Sequence, residues 1–168
     1  MRRQMARAWA NIEAATRDGK DVNARLNMMS ASMQGALAFQ KGLGAVHSLS
    51  HPLGALKIGG KTSLDHGTLN AIVMPTVLRF NASAASVVGE NKFARLRQAM
   101  GLATGADVAD VVSDMNRRLG LPPGLAAVGV EEAMFDTVIA GALKDHCHKT
   151  NVREASAADY RRLLLESL

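Results

Sequence analysis

Along residues 1–18 the apolar side chains Met5, Trp9, Ile12 and Ala15 recur at helical spacing and predict a first helix. The stretch "DGKD" at 18–21 breaks it, and Asp21 is placed to cap a second helix over 22–39. There Leu26, Met29, Met33, Ala36 and Leu37 share one face. The same helix is expected to run on through Gly42 and Gly44 toward His51. A glycine inside a helix costs ~1 kcal/mol relative to alanine, so the pair is expected to mark a close backbone approach by a neighbour or ligand. Pro52 is not expected to continue this helix smoothly, and "GALKIGGKTSL" at 54–64 reads as a loop from its glycine content.

A further helix is expected to start near Asp65 and run through "GTLNAIVMPTVLRFNA", with Pro75 kinking it or ending it locally. Helical patterns also cover residues 83–100, 106–119, 131–147 and 157–168. Thr104 is the expected cap of the second of these, with Asp107 in its first turn. "GLPPG" at 120–124 breaks the chain after it. No apolar alternation of period two reaches strand length, so the pattern predicts one all-α domain over residues 1–168, a bundle of about seven helices. No strand leads into a glycine-rich turn and helix, which excludes a dinucleotide-binding fingerprint within these residues.

Composition agrees with helix-on-helix packing. The chain has 168 residues, a comfortable single-domain length, and 48% of them are apolar, yet it has only four Phe, one Trp and one Tyr. The apolar mass is therefore Ala, Leu, Val and Met. A net charge of +5 permits a nucleic-acid partner, but the basic residues are interrupted by acids. Lys92, Arg95 and Arg97 follow Glu90, and Arg117 and Arg118 follow Asp114. No block of like charge and no interleaved aromatics appear, which argues against nucleic acid. One cysteine rules out an intrachain disulfide and suits a reducing cytoplasm. The basic start lacks the apolar run of a secretory leader, and nothing approaches the ~18–20 apolar residues of a membrane span. A soluble, cytoplasmic protein is expected.

The candidate chemistry lies with the histidines. His47 and His51 are four apart and share a helix face, and His66 follows 19 residues after His47, across a loop long enough to fold back. Neutral imidazole suits Fe, Zn, Ni or Cu, and a third ligand from another element is a usual way to close a site. On spacing alone the bland alternative stands beside it: three unrelated polar residues satisfied in a helical protein. His146 and His148 flank Cys147, but residues two apart on a helix point to different faces, so joint coordination is not expected unless the helix has ended. Glycines 42, 44, 54, 59, 60 and 67 fit tight packing and a flexible loop better than a phosphate cradle.

The wording around these residues says more. "GALAFQKGLGAVHSLSHPLGA" followed by "DHGTLNAIVMPTVLRFN", and the closing "AGALKDHCHKTNVREASAADYRRLLLESL", closely resemble the C-terminal helical domain of the iron-containing (group III) alcohol dehydrogenases. The resemblance covers essentially the whole chain, including an Asn-Xaa-Arg turn between the last two helices. It implies the dehydroquinate synthase-like α domain, a divalent metal (iron first, zinc second) and an NAD or NADP cofactor held by a separate Rossmann-like domain. It further implies a small alcohol or aldehyde substrate. Carried over by motif, His47 and His66 resemble metal ligands, and His51 resembles the histidine beside the nicotinamide that relays a proton. Cys147 resembles a substrate-pocket position, with a small buried thiol as its plain alternative.

The chain departs from that pattern in three respects. The family's D-x-x-x-H stretch, which supplies an Asp and a further His to the metal, has no counterpart here, and neither does the nucleotide domain. The loop between His51 and His66 is also several residues longer than the family's. The isolated chain is therefore expected to bind metal weakly and to have no dehydrogenase activity alone. It is expected to form a homo-oligomer or to dock on a nucleotide-binding domain, with residues 47–71 near the contact. The competing reading from another class is a non-catalytic helical interaction module that retains the scaffold.

Overall fold

The computed structural model describes residues 2–38, 42–60 and 64–168. They form an all-α fold without a β-strand among the described residues. The helices are α1 Arg2–Arg17, α2 Val22–Ala38, α3 Ala45–Gly54, α4 His66–Asn81 and α5 Ala85–Gly89. They continue with α6 Lys92–Met100, α7 Val108–Arg118, α8 Phe135–Lys144 and α9 Ala157–Glu166. Short 3-10 turns at Ala126–Val128, Glu132–Met134 and His148–Thr150 link the later elements. No described helix is long and apolar enough to cross a membrane.

Local chemistry explains most of the boundaries. Asp21 caps α2 as expected, its carboxylate accepting from the Ala24 amide at 2.9 Å. Asp65 caps α4 through the Thr68 amide at 2.7 Å, and Ser156 and Asp159 form a reciprocal capping box at the start of α9. The cap of α7 is Asp107, not Thr104: its carboxylate accepts from Ala109 and Asp110. The helix expected over 83–100 is two helices, because Asn91 takes a left-handed conformation (φ 51°) that no α-helix can pass through.

The expected run from the second helix into His51 also divides. Gly42 (φ 98°) and Gly44 (φ 75°) leave helical space just before α3, so His47 and His51 sit on a separate helix. Pro52, in contrast, lies inside α3 near its end and does not stop it. Its ring rests against α8, where a Cβ on Gly141 would meet the Pro52 Cβ at 2.7 Å. Pro75 likewise stays inside α4. A proline there cannot bond the carbonyl four residues back, which is that of Ala71. Asn116 of α7 replaces the missing donor, its side-chain amide reaching Ala71 O at 2.7 Å.

α3, α4, α8 and α9 enclose the core. Leu49 and Leu53 of α3, Leu69 and Val73 of α4, Phe135 and Val138 of α8, and Tyr160, Leu163 and Leu164 of α9 are all buried. Burial of each such side chain is worth ~1.5–3 kcal/mol, which fixes the four helices against one another.

α1 and α2 form an outer hairpin whose contact differs from expectation. α2 packs through the small residues Ala24 and Ala31, which are 3% and 7% exposed. The face that carries Leu26, Met29, Met33, Ala36 and Leu37 looks outward: Leu26, Met29, Met33 and Leu37 are 63–72% exposed, and Val22 is 74% exposed. Small side chains let the backbones approach closely, and the large ones are left on the far side. An apolar row of this size is not an ordinary solvent face.

The Asn116 contact carries a prediction. Asn116→Ala leaves the partly buried Ala71 carbonyl without its donor, and we expect a loss of ~1 kcal/mol in urea unfolding. A change of only a few tenths would show that water replaces the amide at no cost.

Candidate functional site

The site is built where the start of α3 meets the turn after α8. Gly42 lies so close to Thr150 that any side chain there would overlap it. Gly44 donates its amide to Thr150 Oγ1 at 3.3 Å, and the Ala45 amide donates to Asn151 Oδ1 at 3.2 Å. The first turn of α3 is thus capped by side chains distant in sequence. Asn151 is held in turn by a reciprocal amide pair with Asn81 at the end of α4, at 3.0 and 2.8 Å. It also donates to Arg153 O at 2.6 Å. Arg153 completes the clamp, donating to Phe80 O at 3.1 Å while its guanidinium lies 4.1 Å from the Phe80 ring centroid.

With α3 and α4 held in this way, three histidine rings converge. The centroids of His47 and His66 are 5.2 Å apart, those of His47 and His51 5.6 Å, and those of His51 and His66 5.5 Å. His66 is the first residue of α4, and Asn70 one turn later approaches its Nε2 at 2.9 Å. Burial, aided by the neighbouring His66 and His51, pushes His47 below the ordinary histidine range. It is held as a neutral imidazole, the form with a lone pair to give.

The structure adds Asp145, which the sequence reading did not single out. α8 ends at Lys144, and Asp145 turns extended (ψ 140°). Its carboxylate then faces α3: Oδ2 lies 2.8 Å from His51 Nδ1 and Oδ1 accepts from the Cys147 amide at 2.7 Å. Burial alone would raise this carboxyl, but the hydrogen bonds from His51 and Cys147 outweigh it and hold it below its usual value. An anionic Asp145 sets the tautomer of His51, with the proton on Nδ1 and the lone pair on Nε2. The only hint in the sequence was an acid at the end of a helical pattern, beside "HC".

The early end of α8 takes the "HCH" residues out of the helix, but they do not come together as one cluster. His146 Nε2 comes within 3.3 Å of Cys147 Sγ, and its ring stacks 6.0 Å from that of His51. His148 turns the other way, to the Tyr160 hydroxyl at 2.9 Å. Cys147 is 1% exposed. Burial, and then the nearby Asp145, push its thiol up to about 11. The sequence-named residues His47, His51, His66 and Cys147 therefore occupy one region, with Asp145 and His146 joining them.

Two outcomes are expected of the metal-free chain. Cys147 should react far more slowly with a disulfide reagent at pH 8 than a free thiol of pKa ~8.5; equal rates would overturn its assignment as protonated and buried. For His47, the unfolded chain takes up a proton near pH ~6.5 and the folded chain only at lower pH. Stability is then fully present above that value and falls as the pH drops toward the folded pKa. His47→Gln should flatten this part of a urea-derived stability profile, and an unchanged slope would count against it.

Comparison with known proteins bears on the same residues. The model of the Fe-containing alcohol dehydrogenase family, C-terminal, matches residues 2–168. A 4-hydroxybutyrate dehydrogenase from Cupriavidus necator is 70% identical over 164 residues, 98% of this chain and 43% of that protein. An NAD-dependent methanol dehydrogenase from Bacillus methanolicus is 32% identical over 94% of this chain and 41% of its own length. The crystal structure of a 1,3-propanediol oxidoreductase superposes with a TM-score of 0.88 at 27% identity, covering 99% of this chain and 44% of that one. The chain thus spans about two-fifths of the length of these relatives. The match of both motif and fold along nearly every residue has one meaning: the chain belongs to the iron-containing alcohol dehydrogenase family, whose C-terminal region it matches.

Proposed function

We propose that the chain is the metal-holding part of an NAD(P)-linked alcohol dehydrogenase, which interconverts small alcohols and aldehydes by hydride transfer. His47 and His66 are two ligands of its divalent metal, iron or zinc, and His51 is the histidine on the cofactor side. The convergence of His47 and His66 from two different helices is the observation that carries this reading. An imidazole bound at ~2.0–2.1 Å has its centroid about 3.2 Å from the ion, so two on a tetrahedral ion are about 5.2 Å apart. The His47–His66 spacing is 5.2 Å. His51 lies at a similar spacing, and the bond from its Nδ1 to Asp145 leaves Nε2 to handle a proton.

When bound, the metal supplies a Lewis acid that polarises the alcohol oxygen. The residues of this chain do the rest. His47 stays neutral and so offers its lone pair, and Asp145 fixes the His51 ring with Nε2 available to accept the hydroxyl proton. Cys147 contributes a compact, protonated wall to the substrate pocket. The 70% identity to a 4-hydroxybutyrate dehydrogenase favours an ω-hydroxy acid among the small alcohols.

Two histidines do not complete a four-ligand site, so the reading includes a dependence on residues outside this stretch. A dinucleotide and the remaining ligands come with the part of the relatives that the chain does not match. The apolar row on α2 supports docking: Val22, Leu26, Met29, Met33 and Leu37 offer a continuous surface for a nucleotide-binding domain or a second copy. This face adds a second candidate contact surface to residues 47–71.

Metal analysis of the purified chain should find less iron or zinc in His47→Ala and in His66→Ala than in the parent. Unchanged content in both variants would sink the ligand assignment. The chain alone should not oxidise 4-hydroxybutyrate with NAD or NADP, and joined to the unmatched N-terminal part of the C. necator relative it should. Sedimentation should show the chain associating at micromolar concentration, and Leu26→Glu with Met33→Glu should release monomers. A parent that is monomeric throughout would remove α2 as a docking face.

A further inference from the structure

Beyond the two ligand histidines, a second group of metal-binding side chains lies beside them. Among the described residues, one ligand atom each from His51, Asp145 and Cys147 lie within 4.8 Å of one another. We propose that these three residues, with His146 at the rim, form a separate site for a thiophilic divalent cation, of the Zn²⁺ or Cd²⁺ class. It shares His51, Asp145 and Cys147 with the proposed catalytic region but uses neither His47 nor His66, so it can be tested apart from them.

The backbone explains how the site arises. α8 stops at Lys144, and the extended Asp145 swings the tripeptide Asp145–His146–Cys147 back across the end of α3. Asp145 Oδ2 is 2.8 Å from His51 Nδ1, and His146 Nε2 is 3.3 Å from Cys147 Sγ. In a tetrahedral zinc site with one sulfur, one nitrogen and one oxygen, neighbouring donor atoms are about 3.4–3.6 Å apart. From a widest separation of 4.8 Å the donors need to close by up to about 1.3 Å, and the Asp145–His51 pair to open by about 0.6 Å, to meet one ion.

Donor chemistry selects the ion. A sulfur and one or two imidazole nitrogens favour soft or borderline cations over Mg²⁺, Ca²⁺ and Mn²⁺, which need more oxygen. Access also fits: the Asp145 side chain is 12% exposed and that of His51 36%, while the His146 side chain, 82% exposed, stands at the entrance. Cys147 forms the floor. The proton balance is simple. Cys147 gives its S–H proton to water and binds as thiolate, and the His51 proton moves from Nδ1 to Nε2 as Nδ1 becomes the ligand. One proton leaves per ion, and the His51–Asp145 hydrogen bond is replaced by two metal bonds. An ion here would therefore remove the relay geometry of His51.

The test uses the metal-free chain and Cd²⁺. Titration should produce an ultraviolet thiolate-to-cadmium absorption that saturates at one equivalent, with one proton released. The band should vanish in Cys147→Ser, keep its intensity in the His47→Ala/His66→Ala double variant, and require at least tenfold more Cd²⁺ in Asp145→Asn. Cadmium NMR of the parent gives an answer that needs no variant, since its shift reports a sulfur ligand directly. No thiolate band in the parent, a cadmium shift of nitrogen and oxygen ligands only, or loss of the band in the double histidine variant would each overturn the site.

Discussion

The arrangement of the whole site depends on one long-range cap. The first turn of α3 has no capping side chain of its own, because its N-cap is Gly44. Its amides are satisfied by Thr150 and Asn151, 106 residues further along the chain. A helix start left without partners loses ~1–3 kcal/mol for each buried amide, so the cap is a condition of α3 lying where it does. Since Asn151 also pairs with Asn81 at the end of α4, one carboxamide ties together both helices that carry the histidines. The glycines before α3 serve this contact: a side chain at Gly42 would overlap Thr150, and Gly44 holds a positive φ beside Asn151.

The same accounting of backbone groups explains why two prolines sit inside helices without ending them. Pro75 removes the donor to Ala71 O, and Asn116 of α7 supplies another. Pro52 falls in the last turn of α3, and its ring fills the space left by Gly141 on α8. In both cases a proline that reads as a helix breaker acts as a packing surface between helices.

The chemistry of the site follows from the burial of weakly basic groups near one another. His47 is driven neutral by desolvation and by its histidine neighbours, and Asp145 is kept anionic by donors that outweigh its own burial. The two effects oppose each other across His51, whose ring is bonded on one side by the carboxylate and lies against imidazoles on the other. Cys147, protonated and enclosed, is the least reactive member of the group in the absence of a cation.

Helix positions were legible in the sequence wherever they rest on local chemistry: the spacing in α1, the Asp21 cap, the break at 120–124, and the apolar character of α8 and α9. The motif around His47, His51 and His66 carried the family resemblance, because the resemblance extends along whole stretches of sequence and not over single residues. What local chemistry does not encode, the sequence left open. Whether the run from residue 22 continues to His51 depends on Thr150 and Asn151. Which face of α2 is inside depends on α1 meeting Ala24 and Ala31, and periodicity alone finds an apolar stripe without saying what covers it. Asp145 enters the site only because α8 ends one residue before it and the chain turns back over α3. The sequence by itself determined the helices and the kinds of side chain available for chemistry. The tertiary structure decided which of them meet, since hydrogen bonds between residues 70 to 106 apart, not helical spacing, set the distances in the site.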